Sequence, residues 1–343
     1  MTGAGYVTIY ANAVAIMLML GVNTLAARLK VKDKLEKKIF LSLLGVMVVM
    51  SVFYILMALR DERILPCNKA GAMAIETLLE LTINIFAIQW FVYVIYRMYH
   101  SISHFKRNNV RIFLPFLIMM LLDIVNAFTG FLFYFDDDLL LVEQPLYILT
   151  DLIRTGYFVA SLIALAMHRK HDDRLRFFSL RAFFIPMMFF VLLYYFTPYA
   201  TAALGMAIGL TLIYAQIVNE QCYQDTTTGF YNGMYLDYLK KRMEENDYTL
   251  ESAMSFRIPE KELVDSAHLI SEQFPDECDT VRIKKDTILT LTPVNDRGPL
   301  FMLSEDVQMV LAEANVEAIV KYDLRKKNES SVEFLDRFLK KVK

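Results

Sequence analysis

Long apolar stretches and short polar segments alternate over roughly the first two thirds of the chain. A helix that crosses a membrane needs ~20 mostly apolar residues to span ~30 Å of hydrocarbon. Seven stretches fit this requirement, and we predict membrane spans at residues 6–27, 39–59, 72–96, 112–135, 145–167, 177–196 and 199–218. Only Thr197 and Pro198 separate the last two, and a proline there favours a turn between two helices over one long helix. The pattern therefore predicts an all-α, seven-helix transmembrane bundle.

After residue 218 the pattern becomes charged, and its apolar positions follow the periods of amphipathic helices and strands. Helices are predicted at residues 232–246, 260–274, 306–315 and 332–342, and strands at 252–258, 280–283, 287–293 and 316–322. From the first strand onwards the order is strand, helix, strand, strand, helix, strand, which suits a ferredoxin-like α/β sheet with its helices on one face. We therefore predict a multi-domain membrane protein with a transmembrane domain at 1–218, a linker at 219–224 and an α/β domain at 225–343.

The loops between the predicted spans differ in positive charge. Lysine and arginine collect after the first, third and fifth spans, whereas the loop 135–144 has none and carries Asp136, Asp137 and Asp138. Because positively charged loops stay on the cytoplasmic side, we expect the N-terminus outside and the α/β domain in the cytoplasm. The chain is thus predicted to be a multi-pass protein of the cell membrane, with the lipid bilayer as its first partner.

Composition adds little about other partners. Hydrophobic residues make up 56% of the chain, as expected for helices packed in lipid, and the net charge of −2 gives no sign of a nucleic-acid partner. The three cysteines, Cys67, Cys222 and Cys278, lie far apart and lack the spacing of a metal site. We predict neither a metal nor a cofactor.

Polar and charged residues occur at compatible depths inside three of the predicted spans, where burial in hydrocarbon is costly. They are Glu76, Glu80 and Asn84 in the third span, Asp123 and Asn126 in the fourth, and Asp151 and Arg154 in the fifth. Residues three or four positions apart share a helical face, so we expect at least one of these carboxylates to neutralise Arg154. Three roles stay open for the group: contacts that hold the helices together, an outward-opening pocket for an extracellular or membrane ligand, and a path for ions or protons.

The segment that follows the last span resembles a known family. Residues 225–232 read D-T-T-T-G-F-Y-N, which is similar to D-x-L-T-G-L-x-N-R at the start of GGDEF domains. The matching residues are Asp225, Thr228, Gly229 and Asn232, with Phe230 as a near match. Thr227 and Gly233 stand where the family has leucine and arginine.

A second resemblance falls on the predicted hairpin. Residues 279–291 read D-T-V-R-I-K-K-D-T-I-L-T-L, where the family has D-x-V-x-R-x-G-G-D-E-F and then an apolar strand. The aligned residues are Arg282, Ile283 and Asp286, while Lys284 and Lys285 replace the two glycines, and Thr287 and Ile288 replace glutamate and phenylalanine. Both resemblances together imply a degenerate GGDEF domain with the nucleotide-cyclase fold.

GGDEF domains are bacterial diguanylate cyclases, so the resemblance implies a bacterial signalling protein related to cyclic di-GMP. In active members an aspartate at the end of the first strand helps to hold the metal, but the corresponding stretch 255–262 reads S-F-R-I-P-E-K-E, with no acid on the strand. Asp286 is the only acid left in the signature turn. We therefore predict no catalytic residues, and a receptor that signals through protein contact, homodimerisation or nucleotide binding.

Two alternatives to this function stay open: an active diguanylate cyclase with an unusual site, and a transporter or channel with a regulatory cytoplasmic domain. The turn also has two interpretations. Arg282, Lys284 and Lys285 form a cationic turn that could hold a phosphate or an acidic partner, or they form a solvated hairpin tip.

Overall fold

A computed structural model describes residues 2–29, 34–99, 103–168, 179, 181–197, 199–245, 248–274 and 278–342, with only the backbone described at 103–109, 168, 194, 195, 268, 271 and 272. These residues form two compact units, the first ending at Ile217 and the second beginning at Val218. Each unit is described by itself.

Helices make up most of the first unit. They are α1 (Gly3–Arg28), α2 (Lys34–Asp61), α3 (Lys69–Tyr99), α4 (Ser103–Thr129), α5 (Tyr147–His168), α6 (Arg181–Phe196) and α7 (Ala202–Cys222). Among the described residues, six helices, all but α6, are long and apolar enough to cross a membrane. The 16 residues of α6 extend over only ~24 Å, and residues 177, 178 and 180 of the predicted sixth span lie outside the described part of the chain. The several long apolar helices are compatible with a membrane protein.

The predicted fourth span extends too far, because its helix ends at Thr129. Gly130 follows with a positive φ of 67°, and the apolar residues after it form a hairpin of β1 (Phe133–Phe135) and β2 (Leu141–Glu143). The side chain of Asn126 stabilises this exit from the helix, since its Oδ1 accepts from the Leu132 N–H at 2.6 Å and its Nδ2 donates to the Phe133 carbonyl at 3.2 Å.

Helices α6 and α7 are separate, as predicted, although Pro198 of the predicted turn lies outside the described residues. Two glycines one turn apart on α7, Gly205 and Gly209, face α6. A Cβ at Gly209 would lie 2.8–3.0 Å from Phe183 atoms that include its backbone oxygen and Cα, and one at Gly205 would lie 2.8 Å from the Pro186 carbonyl oxygen. This spacing of small residues lets two helix backbones approach closely.

The Gly209→Ala variant should loosen α6 from α7, because the added methyl group meets backbone atoms that cannot rotate away. Overpacking of this kind typically costs ~1–3 kcal/mol. The measurement is thermal unfolding of the full-length protein in detergent, followed by the fluorescence of Trp90, whose ring stacks on Phe183 at 3.7 Å.

Gly21→Ala on α1 is the matched control, because a Cβ there meets nothing within 4 Å. It should leave stability unchanged or raise it, since alanine favours helix by up to ~1 kcal/mol over glycine. Equal unfolding temperatures for the two variants would contradict the close α6–α7 contact.

The second unit contains a four-stranded sheet and four helices after α7. The elements are α8 (Gly233–Glu244), β3 (Ser252–Arg257), α9 (Glu260–Gln273), β4 (Asp279–Lys284), β5 (Thr287–Thr292), α10 (Arg297–Glu313), β6 (Ile319–Leu324) and α11 (Ser331–Val342). The strand order is β4-β5-β3-β6, and every neighbouring pair is antiparallel. The core between this sheet and the helices α9 and α10 includes Phe256, Ile288, Leu263 and Val307.

The helices cover more of the sheet than predicted. Helices α8 and α11 contact each other as well as β4 and β3, and their buried residues, such as Leu239 and Phe338, are not part of the core that α9 and α10 form with the sheet. Because side chains alternate between the two faces of a strand, α8 and α11 lie on the opposite face. The two helices inside the predicted strand–helix–strand–strand–helix–strand order, α9 and α10, share one core on one face of the sheet, whereas α8 and α11 lie outside that order and cover the other face.

Three boundaries differ from the predictions. Helix α10 begins at Arg297 rather than near 306, because Asp296 caps it. Pro299 lies in the first turn of this helix, where proline is tolerated. Strand β6 begins at Ile319 rather than 316, because the Val316 N–H bonds back to the Leu311 carbonyl at 2.8 Å and completes the end of α10. The first residues of the predicted linker 219–224 are the end of α7.

Candidate functional site

The guanidinium of Arg154 lies at the centre of a polar network among α3, α4 and α5. It forms an ion pair with Glu80 through Nη2, donates from Nε to Asn84 Oδ1 at 2.7 Å and donates from Nη1 to Asp151 Oδ1 at 3.0 Å. The prediction that a carboxylate of the bundle neutralises Arg154 is therefore confirmed. Glu80 is the buried partner, with 4% of its side chain exposed, whereas 47% of the Asp151 side chain is exposed.

The network continues from Asn84 to Asp123. Because the Asn84 Oδ1 accepts from Arg154, its Nδ2 is the group that faces Asp123, and it donates to Asp123 Oδ2 at 2.5 Å. Asp123 has no exposed surface. Its second oxygen, Oδ1, has no hydrogen-bond partner among the described residues.

Two of the seven predicted residues do not contact this network. Glu76 forms a 3.0 Å ion pair with Arg60 of α2, and both side chains are buried. The Arg60 guanidinium also lies 4.7 Å from the centre of the Phe135 ring. The amide of Asn126 is engaged by the backbone of the loop after α4. The connected network therefore contains Glu80, Asn84, Asp123, Asp151 and Arg154 of the predicted set.

Sequence reasoning missed two members of these polar contacts. Tyr147 donates from its hydroxyl to Glu80 Oε1 at 2.8 Å. It precedes Arg154 by seven positions, which is two turns along one helical face, so the spacing contained the signal. Arg60 follows directly after the predicted second span, 39–59, whereas α2 extends to Asp61 and so includes it.

The Glu80→Gln variant should destabilise the bundle far more than Asp151→Asn. Loss of one charge from a buried pair typically costs ~3–5 kcal/mol, because the remaining guanidinium stays buried. An ion pair with a half-exposed partner contributes ~1 kcal/mol or less. The measurement is thermal unfolding of the full-length protein in detergent, with the two variants of the same network as each other's control. Losses of similar size would contradict this assignment, because Asp151 would then balance Arg154 as strongly as Glu80 does.

In the second unit, Arg282 joins the two segments that resemble GGDEF domains. Its Nη1 contacts Asp225 Oδ1 at 3.1 Å and Thr227 Oγ1 at 2.5 Å. The backbone makes the same connection, since the Tyr231 N–H bonds to the Thr280 carbonyl at 3.0 Å and the Arg282 N–H bonds to the Tyr231 carbonyl at 2.7 Å.

The carboxylate of Asp225 receives several donors at this junction. Burial acts to raise the pKa of Asp225, but hydrogen bonds from Thr227, Thr228 and Arg282 outweigh it, and the pKa lies well below its usual range. Arg282 is thus engaged inside the domain, whereas Lys284 and Lys285 at the tip of the turn are exposed.

The turn between β4 and β5 also contacts the end of β3. Arg257, the last residue of β3, donates from Nε to Asp286 Oδ2 at 2.8 Å. Hydrogen bonds from Arg257 and Thr287 hold the pKa of Asp286 below its usual range. Arg257 and Asp286 line a groove of about 900 Å³, together with Gln308, Asn315 and Glu317.

These residues do not fit the divalent metal that the GGDEF resemblance implies. Mg²⁺ and similar hard cations need carboxylate oxygens, but a guanidinium occupies the end of the strand and its Nε–H is bonded to the one acid of the turn. Within the described residues, no group of three or more His, Cys, Asp or Glu side chains could hold a metal ion.

Comparisons with known proteins identify no family. No family model matches the chain, and no curated protein matches it. Among solved structures, the chain is similar to the Vibrio cholerae LapD S helix-GGDEF-EAL protein bound to c-di-GMP, with 16% identity, a TM-score of 0.30, and coverage of 35% of this chain and 33% of that chain. The matched part is thus about a third of the LapD chain, and a likeness at this TM-score does not establish a shared fold.

Proposed function

We propose that the chain is a bacterial multi-pass membrane receptor with a GGDEF-like signalling domain that does not make cyclic di-GMP. In this proposal the N-terminal end of α1 lies outside the cell and the second unit lies in the cytoplasm. The helices of the first unit receive an extracellular or membrane ligand, and the second unit passes the signal to a protein partner, to a second copy of the chain or to a bound nucleotide.

The contact between Asp225 and Arg282 is the observation that carries the GGDEF assignment. Each of the two segments resembles the family by itself, and 57 positions separate the paired residues. Two segments that resembled the family by chance would not be expected to contact each other. Here a half-buried ion pair and two backbone hydrogen bonds join them. The strand–helix–strand–strand–helix–strand order and the all-antiparallel sheet support a ferredoxin-like arrangement of the domain.

The ion pair between Arg257 and Asp286 supports the loss of catalysis. Joining two molecules of GTP requires divalent metal to neutralise the triphosphates and to activate the attacking hydroxyl. A positive guanidinium at the end of the first strand repels such a cation and occupies the acid that would bind it. Lys284 and Lys285 add side chains where the family's glycines let nucleotide and backbone approach closely.

The remaining surface supports an output by binding. The exposed pair Lys284 and Lys285 offers positive charge to an acidic partner or a phosphate. The groove next to Arg257 falls in the usual size range of small-molecule sites. Binding without turnover is thus the role that these features favour.

The full-length protein in detergent should form no cyclic di-GMP from GTP with Mg²⁺ or Mn²⁺. The measurement is chromatography of the nucleotide products, with an active diguanylate cyclase as the positive control and the Asp286→Ala variant as the matched background. We expect the wild type and the variant to be indistinguishable. Product formed by the wild type and lost in Asp286→Ala would overturn the proposal and favour the alternative of an active cyclase.

A further inference from the structure

Asp123 on α4 is a completely buried carboxyl group with only one hydrogen-bonded oxygen. Asn84 donates to Oδ2 at 2.5 Å, and Oδ1 has no partner among the described residues. A carboxylate that carries its full charge inside a protein is normally paired with a cation or bonded by several donors, because water has been removed from it. Asp123 has a single donor, which is a neutral amide.

The charges that face Asp123 come from two neighbouring helices. They belong to Glu80 of α3 and Arg154 of α5, which are connected to Asp123 through Asn84. On α4 itself the next ionisable residue in the described spans is Arg111, ~18 Å away along the axis. Arg154 contacts Glu80, Asp151 and Asn84 but makes no ion pair with Asp123. Three carboxyl groups therefore lie around one guanidinium, which pairs with Glu80 and Asp151 but not with Asp123.

A metal ion does not fit as the missing positive charge. Hard cations take about six or more oxygen ligands, and the described residues contain no cluster of three or more acidic, histidine or cysteine side chains suited to a metal. A proton needs only the one free oxygen. The amide of Asn84 also fixes which oxygen that is, because Nδ2 donates to Oδ2 and leaves Oδ1 as the atom that can carry hydrogen.

We propose that Asp123 is a proton-binding site of the bundle and holds a proton on Oδ1 in the arrangement described. Release of this proton would add a third negative charge near the guanidinium that already pairs with Glu80 and Asp151. Arg154 is connected to both acids, to Glu80 directly and to Asp123 through Asn84. The proton on Asp123 thus controls how strongly Glu80 holds Arg154. This inference concerns the bundle alone and does not depend on the function proposed for the second unit.

Infrared spectroscopy of the full-length protein in nanodiscs tests the proposal. Neutral carboxylic acids have a C=O stretch that is separate from the bands of ionised carboxylates. Exposed aspartates are ionised at pH 7 because their usual pKa is ~3.9. An acid band that shifts when aspartate is labelled with ¹³C therefore reports a buried, protonated aspartate. We expect a label-sensitive acid band at pH 7 that disappears in Asp123→Asn, whose amide has the shape of the neutral acid, and disappears in the wild type at alkaline pH.

Asp151→Asn is the matched control, because Asp151 belongs to the same network and is half exposed. It should keep the band. Absence of a label-sensitive band from the wild type at pH 7, its loss in Asp151→Asn, or its loss on adding Na⁺ at constant pH would each overturn the assignment. If Asp123→Asn does not fold, the wild-type and Asp151→Asn spectra still decide between these results.

Discussion

The guanidinium of Arg154 has to be paired inside the apolar bundle. An unpaired charge at the centre of a membrane-spanning helix costs at least ~2.5–3.5 kcal/mol on insertion scales. This requirement explains why polar residues recur on facing helices. Glu80 and Asn84 of α3 and Asp151 of α5 bond directly to Arg154, and Asn84 passes the connection to Asp123 of α4. One buried cation therefore links three helices. We expect a change in the partners of Arg154 to change the packing of α3, α4 and α5.

The second unit depends on two arginines with different roles. Arg282 stabilises the fold by joining the segment at Asp225 to the hairpin, whereas Arg257 contacts Asp286 where a metal-dependent enzyme would present its carboxylates to solvent and metal. In our proposal, the first pair belongs to the architecture that the GGDEF resemblance implies, and the second pair argues against its metal-dependent chemistry. The same proposal assigns the domain to binding rather than to turnover.

The sequence predicted features that depend on short-range spacing and missed those that depend on distant register. The four-residue spacing on α3 correctly indicated a pairing with Arg154, and most strands and helices of the second unit lie within a few residues of their predicted positions. By contrast, the pairing of Arg257 with Asp286 follows from the alignment of β3 with β5, which places Arg257 opposite Thr287. Asn126 lies outside the Arg154 network because its amide bonds to the backbone of Leu132 and Phe133. The apolar residues there were predicted to continue the helix, whereas they form a hairpin.

The orientation of the chain in the membrane is the most direct test of a receptor with a cytoplasmic signalling unit. A reporter enzyme that is active only outside the cytoplasm should work when inserted near Asp137, in the loop between β1 and β2, and should be inactive when fused after Lys343. The charge distribution of the loops predicts this result. Activity at both positions, or only at Lys343, would contradict the account, because the second unit would then lie on the wrong side of the membrane to signal to the cytoplasm.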